Sequence, residues 1–260
     1  MKLSICAETV YPDMDIGDKI EAIGRHGIKA FELWTLDHDR PSLEKAIQYE
    51  GYQLLLFCGN RSQSLIDVND RDGFVTEFRE SIRDAKSLKC PYLAVLTDRV
   101  DAKGIPIPPD RPMSETEKFA SVCEGYSQAI RLAEEADINL LIEPLNTMVD
   151  HPGYFLRHAA QAFDLIRALG SPRLKVLYDI SHLQIMDGNI INNIESNLDM
   201  IAHIHVADVP GRHEPGTGEI NYKNIARMLQ ANNFDGYVGL EAFPSGDSDD
   251  AIKVFTEVFG

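Results

Sequence analysis

The stretch Ala202–Tyr222, AHIHVADVPGRHEPGTGEINY, joins a six-residue β-forming run to a loop carrying an arginine, three acids and a glycine-proline-rich turn. Runs like the first six residues recur along the chain: LSICA at 3–7, KAFELW at 29–34, QLLLFC at 53–58, YLAVLT at 92–97, NLLIEP at 139–144, LKVLYD at 174–179 and YVGLEA at 237–242. With AHIHVA at 202–207 they make eight strands. Between them lie segments such as DKIEAIGRHG (18–27) and FASVCEGYSQAIRLAEEADI (119–138), whose apolar residues repeat every three to four positions and which often give way at Gly or Asn. This alternation predicts a parallel sheet with crossover helices, and eight units predict closure into a (β/α)8 TIM barrel over residues 1–260, with a short last helix over 249–259. A doubly wound open sheet is the alternative. It is disfavoured because no GxGxxG follows the first strand and no phosphate-cradling GK[ST] occurs.

Composition narrows the class of function. Forty-one acids against twenty-five bases leave a formal charge of −16, an unfavourable field for nucleic acid or an anionic membrane. The apolar run before Glu8 is too short for a signal sequence and no membrane span is present, so the expected location is cytoplasmic. Cys6, Cys58, Cys90 and Cys123 stand far apart with no CxxC spacing, which predicts reduced, packed thiols. The expected partner is a small molecule, and a homo-oligomer stays open.

Polar residues that end apolar strands carry the chemistry, because in such a barrel the C-terminal strand ends converge on one face. Glu143 ends NLLIE, Asp179 ends LKVLYD, His205 lies within AHIHVA, and Glu241 ends YVGLE. Singly, each reads as a cap, a turn acid or a core histidine. On four successive strands their side chains converge, and three carboxylates brought together repel unless a cation sits among them. Three carboxylates and one imidazole suit Mn²⁺ or Mg²⁺, with Co²⁺ or Zn²⁺ competing through the nitrogen.

Further candidates surround that group. His182 lies three residues beyond Asp179, and Arg212 falls in the loop after His205, where a cation holds a substrate oxygen or forms a surface ion pair. Glu32 and Trp34 end the second strand, as support for the site and an apolar wall, or as simple packing. His203, taken as alternating with His205, is expected to point away from the barrel interior. His26, His38, His151 and His158 are read as structural. The long polar segments 59–73 and 98–115 are expected to cover the site from the C-terminal rim.

With these residues placed, the chain resembles the hydroxypyruvate isomerase family within the xylose isomerase-like (sugar isomerase/epimerase) barrel superfamily, over essentially its full length. ADVPGRHEPGTGEINY (207–222) is the most specific match; EPLN, YDISHLQIMDGN and GYVGLEAFP resemble the segments after the fifth, sixth and eighth strands. The resemblance implies one divalent ion held by Glu143, Asp179, His205 and Glu241, proton transfer by Glu143 and Glu241, and substrate contact by His182 and Arg212. Two departures bear on the substrate. The bacterial hydroxypyruvate isomerases carry glutamine where this chain has His205, whereas ketose 3-epimerases carry histidine. Those epimerases also place a second glutamate where this chain has Val149, followed by Asp150.

The chemistry implied is an aldose–ketose isomerisation of a short sugar or sugar acid through a cis-enediolate. Glu214 or Glu219 is expected to brace the loop around Arg212, with His213 as a plain loop residue. The alternatives are ketose 3-epimerisation, a histidine-rich multi-zinc nuclease and a non-catalytic sugar-acid-binding barrel.

Overall fold

Eight short parallel strands hydrogen-bond in chain order and the last returns to the first. The computed structural model describes residues 1–260, the side chain of Tyr49 apart. The strands are β1 (Lys2–Cys6), β2 (Ala30–Glu32), β3 (Gln53–Cys58), β4 (Tyr92–Ala94), β5 (Asn139–Ile142), β6 (Leu174–Asp179), β7 (Ile201–Val206) and β8 (Tyr237–Leu240). The helices are α1 (Ala7–Val10), α2 (Ile16–Arg25), α3 (Arg40–Tyr49), α4 (Arg71–Leu88), α5 (Glu115–Ala136), α6 (Ala159–Leu169), α7 (Ile180–Met186), α8 (Ile190–Glu195), α9 (Tyr222–Ala231) and α10 (Ser248–Phe259). The eight expected strands are therefore all present, and the (β/α)8 TIM barrel is the fold. β2 stops at Glu32, two residues short of expectation, where its register against β3 shifts.

Local chemistry sets the helix ends. Ser114 and Glu117 form a reciprocal capping box at the start of α5, and Asp247 caps α10 by accepting from the backbone of Asp249 and Asp250. Gly170 ends α6 in the left-handed region, where the absence of a Cβ removes the steric cost. No helix among the described residues is long and apolar enough to cross a membrane. The four cysteines are free, as their spacing predicted.

Strand alternation sorts side chains into two layers. Ile5, Phe31, Leu54, Leu93, Leu140, Val176, Ile204 and Val238 belong to the large core shared with the helices, whereas Ala30, Ala94, Leu141 and Leu177 form a smaller cluster. Above this cluster the packing turns polar: Ser4, Glu32, His203 and His205 are all buried. The expectation for His203 is overturned. Residues two apart on a strand share a face, so His203 and His205 project together, and both rings reach Glu32.

Gly239 makes room for this layer. A Cβ there would lie 2.5 Å from Glu32 Oε1, 3.0 Å from His203 Nε2 and 3.1 Å from Ser4 Oγ, closer than neighbours locked in a buried network can yield. Gly239→Ala is accordingly expected to destabilise the protein by about 1–3 kcal/mol through overpacking. The check is a urea unfolding midpoint that falls with an unchanged denaturant slope.

Candidate active site

The C-terminal ends of β5 to β8 bring Glu143, Asp179, His205 and Glu241 together, with one donor atom from each lying within 4.8 Å of the others. His205 organises the group. Its Nδ1 faces Glu241 Oε2 at 3.0 Å, Glu143 Oε1 at 3.6 Å and Asp179 Oδ2 at 3.8 Å. Its Nε2 meets Glu32 Oε2 at 2.7 Å. Glu32, read only as one of two alternatives from sequence, thus backs the imidazole from below and fixes which nitrogen faces the carboxylates. His203 Nε2 sits 3.0 Å from the other Glu32 oxygen, which also accepts from Ser4.

Buried His205 Nδ1 and Glu143 Oε1 lack a hydrogen-bond partner among the described residues, which is the condition a cation would relieve. Three carboxylates and an imidazole, with Glu143 Oε1 and His205 Nδ1 free, fit a divalent ion.

The same group separates the protonation states of its members. Burial pushes the Glu143 carboxyl up to about 7 against the pull of His205. Burial also opposes ionisation of Glu241, but His205 and Arg212 outweigh it and bring this carboxyl down to about 2. Asp179 is likewise held well below the carboxylate range, the Arg212 guanidinium above all overcoming burial. His205 is held well above the imidazole range because Glu241 and Glu32 overcome the burial that opposes its charge. Two neighbouring glutamates therefore differ in their hold on a proton, the pattern of an acid and base pair.

Arg212 reaches into the group itself. Its Nη2 donates to Asp179 Oδ2 at 2.7 Å and to Glu241 Oε2. A solvated surface ion pair is thereby replaced by one whose acids are both buried. The residue has φ 55°, an uncommon backbone for a side chain of its size, and the loop holds it from both sides. Its N–H donates to Asp208 O at 3.0 Å and its carbonyl accepts from Phe243 N at 2.8 Å. Glu214 accepts from Ser245 N and Oγ, tying this loop to the segment after β8, while His213 Nδ1 bonds Phe243 O. The side chain of Glu219 meets only Gln184 among the described residues, at 3.3 Å, so Glu214 is the brace.

His182 and Trp34 both line the cavity over this group, as does His151, which had been read as structural. Asn146 is buried and was missed in the sequence, although it stands in the quoted EPLN. Its Oδ1 accepts from Val149 N and Asp150 N, which orients the amide so that Nδ2 donates to Asp150 Oδ2 and to His182 Nδ1. The His182 proton consequently rests on Nε2, on the side of Asp179. Burial drives this imidazole down to about 3, so it stays neutral. Trp34 is more than a wall: its Nε1 donates to Glu241 Oε1 at 2.6 Å while its ring meets Phe243 edge-on.

Asp208 was also missed, since nothing in a loop acid's local sequence shows it to be buried. One carboxylate oxygen accepts from Val209 N and Ile220 N, and the other accepts from Gly216 N. It closes the loop that carries Arg212. An amide cannot accept on both sides, so Asp208→Asn is expected to cost about 1–3 kcal/mol, the scale of an unsatisfied buried group. Chemical denaturation measures this, and limited proteolysis should show faster cleavage within 209–219.

The cavity has a volume of about 320 Å³. That suits a small sugar or acid rather than a polymer.

The model of the xylose isomerase-like TIM barrel family matches residues 20–258. A Homo sapiens protein with a provisional hydroxypyruvate isomerase name is 30% identical over 97% of this chain and 93% of its own length. The hydroxypyruvate isomerase of Escherichia coli K12 is 37% identical over 54% of each chain, and the 2-oxo-tetronate isomerase of Cupriavidus necator is 29% identical over 87% and 86%. Among solved structures, a D-psicose 3-epimerase determined in the presence of D-fructose superposes with TM-score 0.82 at 20% identity, covering 100% of both chains. That likeness shows the fold alone.

Proposed function

We propose, from the premise that this chain belongs to the hydroxypyruvate isomerase family of xylose isomerase-like TIM barrels, that it interconverts an aldose and a ketose form of a short sugar acid of the hydroxypyruvate and tartronate semialdehyde type, with a divalent ion, Mn²⁺ or Mg²⁺ foremost. The observation that carries this reading is the pair Glu143 and Glu241 on one small cavity, both facing the same imidazole nitrogen of His205. The names of the relatives support the reaction class.

Glu143, Asp179, His205 and Glu241 would hold the ion. When bound, it supplies Lewis-acid polarisation of a substrate carbonyl and the adjacent hydroxyl. The chain's own side chains do the rest. One of Glu143 and Glu241 takes the proton from the carbon bearing the hydroxyl and the other delivers a proton to the neighbouring carbon, while the hydroxyl proton passes from that hydroxyl to the former carbonyl oxygen; the roles exchange in the reverse direction. His182, neutral and with its proton on Nε2, donates to a substrate oxygen without competing for protons. Arg212 neutralises charge on Asp179 and Glu241 and offers its remaining N–H groups to substrate oxygen. Trp34 holds Glu241 in place and shields one side of the cavity from water.

His205 favours a second reading, ketose 3-epimerisation, by the resemblance of that one ligand. Val149, an apolar lining residue where the epimerases place a glutamate, speaks for isomerisation. The products separate the two. Hydroxypyruvate deuterated at the hydroxymethyl carbon should lose label to water or carry it to the adjacent carbon as aldehyde appears. Efficient inversion of free ketohexoses at carbon 3 with no aldehyde from short acids would overturn the isomerase reading.

Exhaustive chelation should abolish turnover, and Mn²⁺ or Mg²⁺ should restore it. Glu143→Gln and Glu241→Gln are each expected to reduce kcat by about a hundredfold or more, the scale of losing a general acid or base. Undiminished kcat in variants shown to retain the ion removes both residues from proton transfer. Glu32→Gln touches no substrate but unseats His205, so its expected effect is a Mn²⁺ affinity about 10–100-fold weaker by calorimetry. Parental affinity would mean that His205 needs no support from below.

A further inference from the structure

Two cations on the cavity wall remain unexplained by the chemistry above. Arg61, in the loop between β3 and α4, and Lys103, in the loop between β4 and α5, both line the cavity that holds Glu143 and Glu241. Neither side-chain cation meets a carboxylate among the described residues, although the chain carries a charge of −16 and forms many exposed ion pairs elsewhere. The third cation of the cavity, Arg212, is already engaged with Asp179 and Glu241. Asp150, the other acid on the wall, is held by the Asn146 amide.

The backbone beneath the two cations is tied down. Arg61 N donates to Glu77 Oε1 and its carbonyl accepts from Val100 N, so the two loops are joined at this residue. The Arg61 guanidinium donates to Asp101 O at 3.1 Å, leaving further N–H groups free. Asp101 Oδ1 accepts from Lys103 N and Ile105 N and so shapes the tight turn that presents Lys103. His151 bonds Gly104 O at 2.7 Å and pins that turn to the segment after β5. Cys58 lines the same cavity wall as the two cations and Glu143.

We infer that Arg61 and Lys103, on the cavity wall supplied by the loops after β3 and β4, form a carboxylate clamp which selects sugar acids over neutral sugars. The inference rests on the isomerase reading of the same site. In hydroxypyruvate the reacting carbons carry the ketone and the hydroxymethyl group, and the carboxylate takes no part in bonds made or broken. When the reacting carbons sit at Glu143 and Glu241, this spectator group is the one left to project toward other walls. An arginine fork beside a lysine point charge is the chemistry that recognises it. Neutral sugars offer only a hydroxyl there and would leave both cations unpaired.

The test compares hydroxypyruvate with dihydroxyacetone, the same skeleton with its carboxylate replaced by a hydroxymethyl group, and measures binding of tartronate to Mn²⁺-loaded protein by calorimetry. In Arg61→Ala and Lys103→Gln, tartronate affinity is expected to fall about tenfold or more in each, the scale of one charge-assisted hydrogen bond. The KM for hydroxypyruvate should rise in step while kcat and the KM for dihydroxyacetone hold, and Arg61→Lys should recover part of the loss. Lys103 is exposed, so Lys103→Gln leaves the core untouched and keeps the test open if the arginine variant misfolds. Equal weakening of acid and neutral ligands, or tartronate binding at parental affinity in both variants, overturns the clamp even where hydroxypyruvate is turned over. Loss of tartronate affinity in the variants of a protein that never isomerises hydroxypyruvate leaves the clamp standing and overturns the isomerase reading.

Discussion

The gathering of four carboxylates, three of them buried, at one end of the barrel is the constraint on which the rest of the site depends. Glu32, Glu143, Asp179 and Glu241 lie within or beneath one cavity, where the cost of carrying uncompensated charge out of water is several kcal/mol per ion. His205 and Arg212 answer it. The compensation is directional: Glu32 takes both imidazoles from below, which leaves His205 Nδ1 to face the three upper carboxylates. Charge balance and side-chain orientation are thus the same set of contacts.

Much of the surrounding architecture serves to hold those contacts. Small residues line the barrel where the polar layer must fit, Gly239 most stringently. The loop after β7 carries Arg212 in a left-handed backbone and spends a buried carboxylate, Asp208, on holding itself closed. Asn146 sets which nitrogen of His182 carries the proton, as Glu32 sets which nitrogen of His205 faces the carboxylates. Each supporting residue is buried and polar, and each would leave stranded donors or acceptors if truncated.

The cavity that results is electrically lopsided. One end gathers three carboxylates and an imidazole around a place for a divalent ion. The cavity wall also presents Arg61 and Lys103, supplied by the two long segments whose polarity marked them as covers for a site. A small acid with a reactive carbonyl at one end and a carboxylate at the other matches both groups.

The eight strands were legible because each is an uninterrupted run of β-forming residues in a chain whose other segments repeat at helical spacing. The four residues of the metal-type group were legible for a related reason, since a polar side chain closing an apolar strand is a local signal and the barrel sends all such ends to one face. The sequence alone did not show that Glu32 joins His203 to His205, because that contact spans 173 residues and depends on the stagger with which β2 and β7 enter the barrel. Nor could it show that Arg212 turns inward or that Asp208 and Asn146 are buried: loop residues carry no periodicity, and their burial is decided by the loops packed over them. Periodicity along the chain determined which residues face inward at the strand ends; closure of the sheet decided which of them meet, because only closure sets distances between strands far apart in sequence.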